Sequence, residues 1–388
     1  MKKILVVFVA LLIGIQLSCI PVNADSPIAN EISIFIQEYS LVEPTWVNAN
    51  VHSFERLYNI DDDLIGYLYR IYQNNVQQGY IIYLFEMGIT EAKFTGVDKA
   101  IDIYGKVYYV VPSGFFSKKQ LQENYDILVY NATIQTDLTG TGWGQDVTLI
   151  RYNPDGSELN YESVEDYFYI NTSHVPNLSA NVNSYYISMV SKVWIENVPS
   201  YLGQLVGMAN VCAPTAGAMF IAYYDNELWN NLSTLEGGWW WQYFPLLHED
   251  DEDLVNELVL QLSGYFRTCI NMNGDLTDPT NCVGSSAEEV AFGLKNYLDD
   301  HNHSSYTGIK ATMGVDYDDY TALIALGNPS VVQLAASSSY GSHSVIGIGF
   351  YSAYMSPSGL IIYDDQTHGE VWISYSIATY YEFLYYYG

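Results

Sequence analysis

The sequence predicts an α+β protein in two parts, and three observations carry that reading. Segments 214–224, 254–266, 287–299 and 317–326 repeat apolar residues at helical spacing. Segments 330–336, 343–351, 360–363 and 370–375 then run apolar or alternate over strand lengths, and helices followed by strands within one region give an α+β class rather than βαβ alternation. Finally, residues 171–184 are polar, turn-prone and short of core residues, which separates this region from a first half of short strand-like runs. The expected organisation is a leader 1–24, a smaller α+β unit 25–170, a linker 171–184 and a second domain 185–388.

The chain opens with Lys2 and Lys3, an apolar stretch from Ile4 to Leu17, and small residues at Val22-Asn23-Ala24. That pattern predicts a secretory signal with Asp25 as mature start, hence a secreted, extracellular protein. No later apolar run is long and uncharged enough to span a bilayer, so no membrane association is expected once the signal is removed. Without Lys2 and Lys3 the 14 basic residues fall to 12 against 44 acidic ones. Such an acidic surface repels nucleic acid and anionic lipid, and it names no substrate.

In the first half, the pattern over 32–57 is interrupted by Pro44 and predicts short helical pieces. Leu64 to Tyr72 reads as a strand, followed by a hairpin turn at Gln77-Gln78-Gly79 and a second strand from Tyr80 to Phe85. The 37 tyrosines fall largely in such runs and read as half-buried sheet. No cluster of chemically useful residues is visible there.

The chemistry gathers in the second half. Of four cysteines, Cys19 leaves with the leader, while Cys269 and Cys282 bracket a polar loop with Asn273-Gly274 and Asp278-Pro279 turns. Outside the cell that pair most simply forms a disulfide. Cys212 is left unpaired, and an unpaired secreted cysteine is either inert and buried or reactive. The following residues, Ala213-Pro214-Thr215-Ala216-Gly217-Ala218, fit the first turn of a closely packed helix. A thiol at that position meets the positive end of the helix dipole, which favours the nucleophilic thiolate. Eight residues earlier, the Gln204 amide is placed to join the Cys212 backbone N–H in holding an oxyanion.

A thiolate nucleophile needs a base. Of seven histidines, His343 alone opens an apolar strand-like run, Ser344 to Phe350, after a small-residue turn. A third group should orient the imidazole. If the strand from His343 folds back through the turn 354–359, facing positions sum to about 707–710, which brings Asp364 or a neighbour near His343. Asp364 is the first choice and Asp365 the second; His368, in a Thr-His-Gly turn, reads as exposed.

Other patterns carry less. Trp239-Trp240-Trp241 reads as core or packed loop, with a substrate-cleft wall as the sharper alternative. The acidic run 249–253 reads as the first turn of a helix rather than a calcium loop, since no spacing fits one. Cysteine and histidine spacing fits no zinc site, and the glycines of 140–144 lack a phosphate-binding lysine. Neither a metal nor a cofactor is expected.

Taken together, Val198-Pro199-Ser200-Tyr201-Leu202-Gly203-Gln204, Val211-Cys212-Ala213-Pro214-Thr215-Ala216, Gly341-Ser342-His343-Ser344-Val345 and Tyr363-Asp364-Asp365 resemble the bacteriocin-leader-peptidase-like branch of papain-fold cysteine peptidases. The interval from Cys212 to His343 also suits the about 130–150 positions of papain-like enzymes. The resemblance implies a papain-like catalytic domain, a helical half plus an antiparallel sheet. It implies that Cys212 is nucleophile, His343 general base, Asp364 orienting group and Gln204 oxyanion donor, acting on a peptide or protein substrate. Two departures stand out: Ala213 replaces the usual glycine after the nucleophile, and Asp365 follows Asp364 where proline or asparagine is common. The first half resembles streptopain-type propeptides, which would make the chain's own N-terminal domain an inhibitor and the protein a zymogen. Two alternatives share the fold: a cell-wall peptide amidase or acyltransferase, and an inactive binding protein.

Overall fold

The computed structural model describes residues 28–59, 61–93, 106–110, 114–123, 178–187, 190–203, 211–227, 252–266, 268, 285, 287–301, 308–313, 317–337, 341–366, 368–377 and 380–387. The expected leader, the tryptophan run, 140–144 and half of the expected linker, 171–177, lie outside these residues.

The chain enters through helix α1 (Ala29–Tyr39), which buries Ile32, Phe35, Ile36 and Tyr39, the i, i+3, i+4, i+7 set of one helical face. Pro44 starts a single 3-10 turn, Pro44–Trp46. The chain then departs from the expected helical pieces, because Asn50–Tyr58 is strand β1. It pairs antiparallel with β2 (Leu64–Gln73) and parallel with β5 (Lys106–Val110), and partners on both edges override a weak local helical pattern. The hairpin from β2 into β3 (Val76–Leu84) turns at Asn74-Asn75, upstream of the expected Gln77-Gln78-Gly79. Both asparagines have positive φ, 51° and 65°, as a two-residue hairpin turn demands. Strand β4 (Gly88–Lys93) follows, then β6 (Gly114–Phe116) and the short α2 (Lys118–Glu123) beyond β5.

The second region follows the sequence expectation closely. Strands β7 (Val182–Ile187) and β8 (Val190–Ile195) lead to helices α3 (Cys212–Glu227), α4 (Glu252–Tyr265) and α5 (Ala287–Asp300). Strand β9 (Gly308–Met313) and helix α6 (Tyr317–Ala325) come next. The remaining strands are β10 (Ser330–Ser337), β11 (Gly341–Ser352), β12 (Gly359–Tyr363), β13 (Val371–Ser374) and β14 (Tyr380–Tyr387). Strand β11 pairs Ile346 with Tyr363 and Phe350 with Leu360 of β12, positions summing to 709 and 710, inside the expected range.

The fold is α+β, but its two parts are less separate than the sequence suggests. The described strands form one 14-stranded sheet in the order β6-β5-β1-β2-β3-β4-β13-β12-β11-β10-β14-β9, with β8 joined to the far end of β11 and β7 to β8. The junction is β4 against β13, with Lys93 opposite Val371, Ala92 opposite Trp372 and Glu91 opposite Ile373. Phe35 and Tyr39 of α1 lie against Trp372, ring centroids 5.0 and 5.9 Å apart, and Tyr39 stacks on Tyr351 at 3.7 Å. Val182 to Ser184, expected in the linker, are the start of β7. Strand pairing across the expected boundary satisfies backbone groups that a free edge would leave open, a non-local saving that no local composition signals.

Helix α3 runs through the core. Almost every side chain from Ala213 to Tyr224 is buried, the pattern of a helix covered on all sides. Its small residues allow that covering: a Cβ on Gly217 would come 2.6 Å from the Phe266 ring. The buried hydroxyls of Tyr223 and Tyr224 donate to the Gly327 carbonyl and to Asn328 Oδ1, at 2.7 and 3.1 Å.

Candidate active site

The position of Cys212 follows from how α3 begins. The Val211 carbonyl accepts the Thr215 N–H at 2.9 Å, so the first helical turn opens on Cys212. Pro214 has no N–H to offer, which leaves the backbone N–H groups of Cys212 and Ala213 as the donors at this helix end. Cys212 is partly exposed and is the free cysteine among the described residues. Ala213 is 1% exposed, so its methyl group belongs to the core and does not stand at the site opening.

His343 lies on β11 opposite Leu334 of β10, and α3 packs on both strands. Its imidazole is buried, with Nε2 3.1 Å from Asp365 Oδ1 and 3.3 Å from the Asp364 carbonyl oxygen. Cys212 lies within electrostatic reach of the same imidazole. The structure therefore brings together Cys212, His343 and Asp365, from a helix start, a strand and a turn.

Of the two aspartates, the first choice meets the imidazole through its main-chain carbonyl. The Asp364 carboxylate accepts the Gln366 N–H at 3.2 Å, and the second choice, Asp365, supplies the carboxylate beside His343. Simple alternation from Tyr363 would put Asp364 on the His343 face of the sheet. Asp365, however, has φ 57°, a left-handed conformation that breaks the alternation and redirects its side chain. Asparagine and aspartate tolerate that region better than most residues, so the Asp-Asp pair suits the turn.

The turn is held from its flanks. The Gly203 N–H donates to the Asp365 carbonyl at 2.8 Å, and the Gly369 N–H donates to Ser200 Oγ at 3.3 Å. A Cβ on Gly203 would lie 2.7 Å from Asp365 Oδ2 and 3.2 Å from Thr215 Oγ1, so the approach requires glycine. The Lys93 ammonium donates to the His368 carbonyl at 2.5 Å. Sequence reasoning did not single out Gly203, Ser200, Thr215 or Lys93. Gly203 and Ser200 sit within the segment leading to Gln204, where a glycine beside polar residues was the available signal; Lys93 had none.

Burial alone would push the imidazole down, yet the Asp365 carboxylate and the neighbouring Cys212 hold His343 well above its ordinary range. Burial pushes the Asp365 carboxyl up, while the imidazolium pulls it back.

Gln204, Cys269 and Cys282 lie outside the described residues, as do His174, His248 and His303. His368 and His52 are exposed, and His301 is engaged with Tyr297 through its carbonyl at 2.6 Å and its ring. No group of three or more histidine, cysteine or acidic residues suited to a metal ion is present among the described residues. Likewise, no described helix is long and apolar enough to cross a membrane.

No known family model and no curated protein matches the chain. One solved structure, described as that of a candidate C39-like peptidase from Bacillus anthracis, is similar at 14% identity over 51% of this chain and 98% of its own. Its TM-score is 0.31, a likeness too slight to carry an argument about fold or activity.

Proposed function

We propose that the protein is a secreted cysteine hydrolase that cleaves peptide bonds through Cys212. The observation that carries this reading is the convergence of Cys212, His343 and Asp365 at the start of a buried helix. The Cys212 thiolate attacks the carbonyl carbon of the scissile bond, and the developing oxyanion faces the Cys212 N–H, with the Gln204 amide as the proposed second donor. His343, protonated at the outset, gives its proton to the departing amine, which leaves a thioester on Cys212. It then takes a proton from water as the water attacks that thioester, releasing the acid product and restoring the thiolate. Asp365 holds Nε2, which presents the opposite ring nitrogen, Nδ1, to the sulfur.

Incubation with a thiol-directed epoxide followed by mass spectrometry tests this directly. A single adduct on Cys212, together with protein hydrolysis that Cys212→Ala abolishes, supports the reading. A folded protein that takes no adduct would support an inactive binding protein instead. Product analysis on an unfolded protein substrate and on peptidoglycan separates a peptidase from a cell-wall amidase or acyltransferase.

A further inference from the structure

The turn that carries Asp365 is shared between the two parts of the chain. It leaves β12 after Tyr363 and re-enters the sheet at Val371, whose strand neighbour is Lys93 of β4. Lys93 is fully buried, and its Nζ reaches back over the turn to the His368 carbonyl at 2.5 Å. Tyr80 pairs with Lys93 from the other side, on β3. Two residues earlier on the same face of β4, the buried Glu91 accepts from the Tyr80 hydroxyl at 2.5 Å and from the Tyr109 hydroxyl at 3.2 Å. The Asp364 carboxylate lies within electrostatic reach of both tyrosines. The polar groups of β3, β4 and β5 therefore continue into the aspartate turn beside the reacting sulfur.

A buried ammonium is costly to desolvate and persists where it is hydrogen-bonded and faces negative charge. Here it faces a main-chain carbonyl three residues from Asp365, in a stretch that also carries Asp364. Its removal would leave the His368 carbonyl without that donor, and the turn free to relax away from the His343 imidazole. A displacement of about 1 Å in such a group can cost about a hundredfold in rate. The same region covers Trp372 with Phe35 and Tyr39, so taking it away would expose large apolar side chains to water.

We propose that the N-terminal region remains in the working protein as part of its catalytic sheet, and that Lys93 is a positioning residue for the Asp365 turn. This rests on the thiol-hydrolase reading of the site, and it replaces a removable inhibitor with a permanent support.

The test compares the full chain with its Lys93→Met and Lys93→Arg variants. The rate of Cys212 alkylation by iodoacetamide is followed from pH 4 to pH 9, beside circular dichroism and hydrolysis of a peptide substrate. If the thiol-hydrolase reading holds, alkylation of the unaltered protein stays fast into the acid range. Lys93→Met should slow acid-range alkylation about tenfold or more and lower kcat with KM nearly unchanged; Lys93→Arg should recover most of both. A folded Lys93→Met protein whose alkylation profile overlays that of the unaltered chain overturns the proposal.

Should Lys93→Met fail to fold, the intact mass of the epoxide-labelled unaltered protein decides. Labelled species that retain residues 29–93 support the proposal, and a labelled form that lacks them overturns it. If the unaltered protein shows neither fast acid-range alkylation nor an adduct, the thiol-hydrolase reading itself has failed, an outcome distinct from the others.

Discussion

The two regions of the sheet bury charge in opposite ways. Around β10–β12 the core is apolar, and the buried ionisable groups His343, Asp364 and Asp365 gather at one end, beside the exposed edge of Cys212. Around β2–β4 the buried charges Arg70, Glu91 and Lys93 are spread through the strands and accompanied by tyrosines, with no nucleophile among them. Under the proposed reaction, buried charge in the first case moves a proton, whereas in the second it ties neighbouring strands and the aspartate turn together. Lys192 sits between the two regimes. Its Nζ lies 3.2 Å from Glu43 and 2.7 Å from Glu370, which ties the first region to the end of the aspartate turn.

The largest expected effect falls on the proton-moving side. Cys212→Ala should reduce peptide hydrolysis by about 10⁵-fold or more while leaving the melting temperature within a few degrees, as kinetics and calorimetry would show. Residual turnover near that of the unaltered protein would place the nucleophile elsewhere. Asp365→Asn should lower kcat by about 10²–10⁴-fold, the range for a group that orients an imidazole. Asp364→Asn should cost less than tenfold, because its carboxylate serves the turn and not the ring. Equal losses in the two variants would erase the distinction between them.

On the side that fixes backbone, Lys192→Met should destabilise the fold by about 3–5 kcal/mol, since Glu43 and Glu370 would face each other without a cation. Chemical denaturation measures this. A change below about 1 kcal/mol would mean that this pair of contacts is solvated rather than structural.

The smallest effect is a pH dependence of stability. Because His343 is held above its ordinary range, its protonated form contributes stability that is fully present below the ordinary imidazole value of about 6.5. That contribution is lost as pH rises through the elevated value in the folded protein. The melting temperature should therefore fall on the alkaline side, and Asp365→Asn should flatten the fall. A melting curve independent of pH above neutrality would show that the imidazole is neutral in the folded protein.

Much of the second region was legible because its signals are local. The helix from Cys212 announces itself through Pro214 and a run of small residues, and β11 and β12 appear as apolar strands whose register follows from the length of the intervening turn. The first region was less so: β1 reads locally as helix, and a glycine nearby is a stronger local turn signal than Asn74-Asn75. The choice between Asp364 and Asp365 lay beyond alternation, because one left-handed residue reverses which side chain faces the imidazole.

The sequence by itself therefore determined the α+β class, the helix start that exposes a thiol, and the strand that presents His343. Each depends on residues within one turn or one strand of one another. Only the tertiary structure decided that Asp365 faces the imidazole, that Gly203 must be glycine, and that Lys93 lies over the turn. Lys93 and His368 are 275 positions apart, and what unites them is strand pairing between β4 and β13. Such a contact follows from satisfying a sheet edge and burying Trp372, which are properties of the assembled chain rather than of any segment in it.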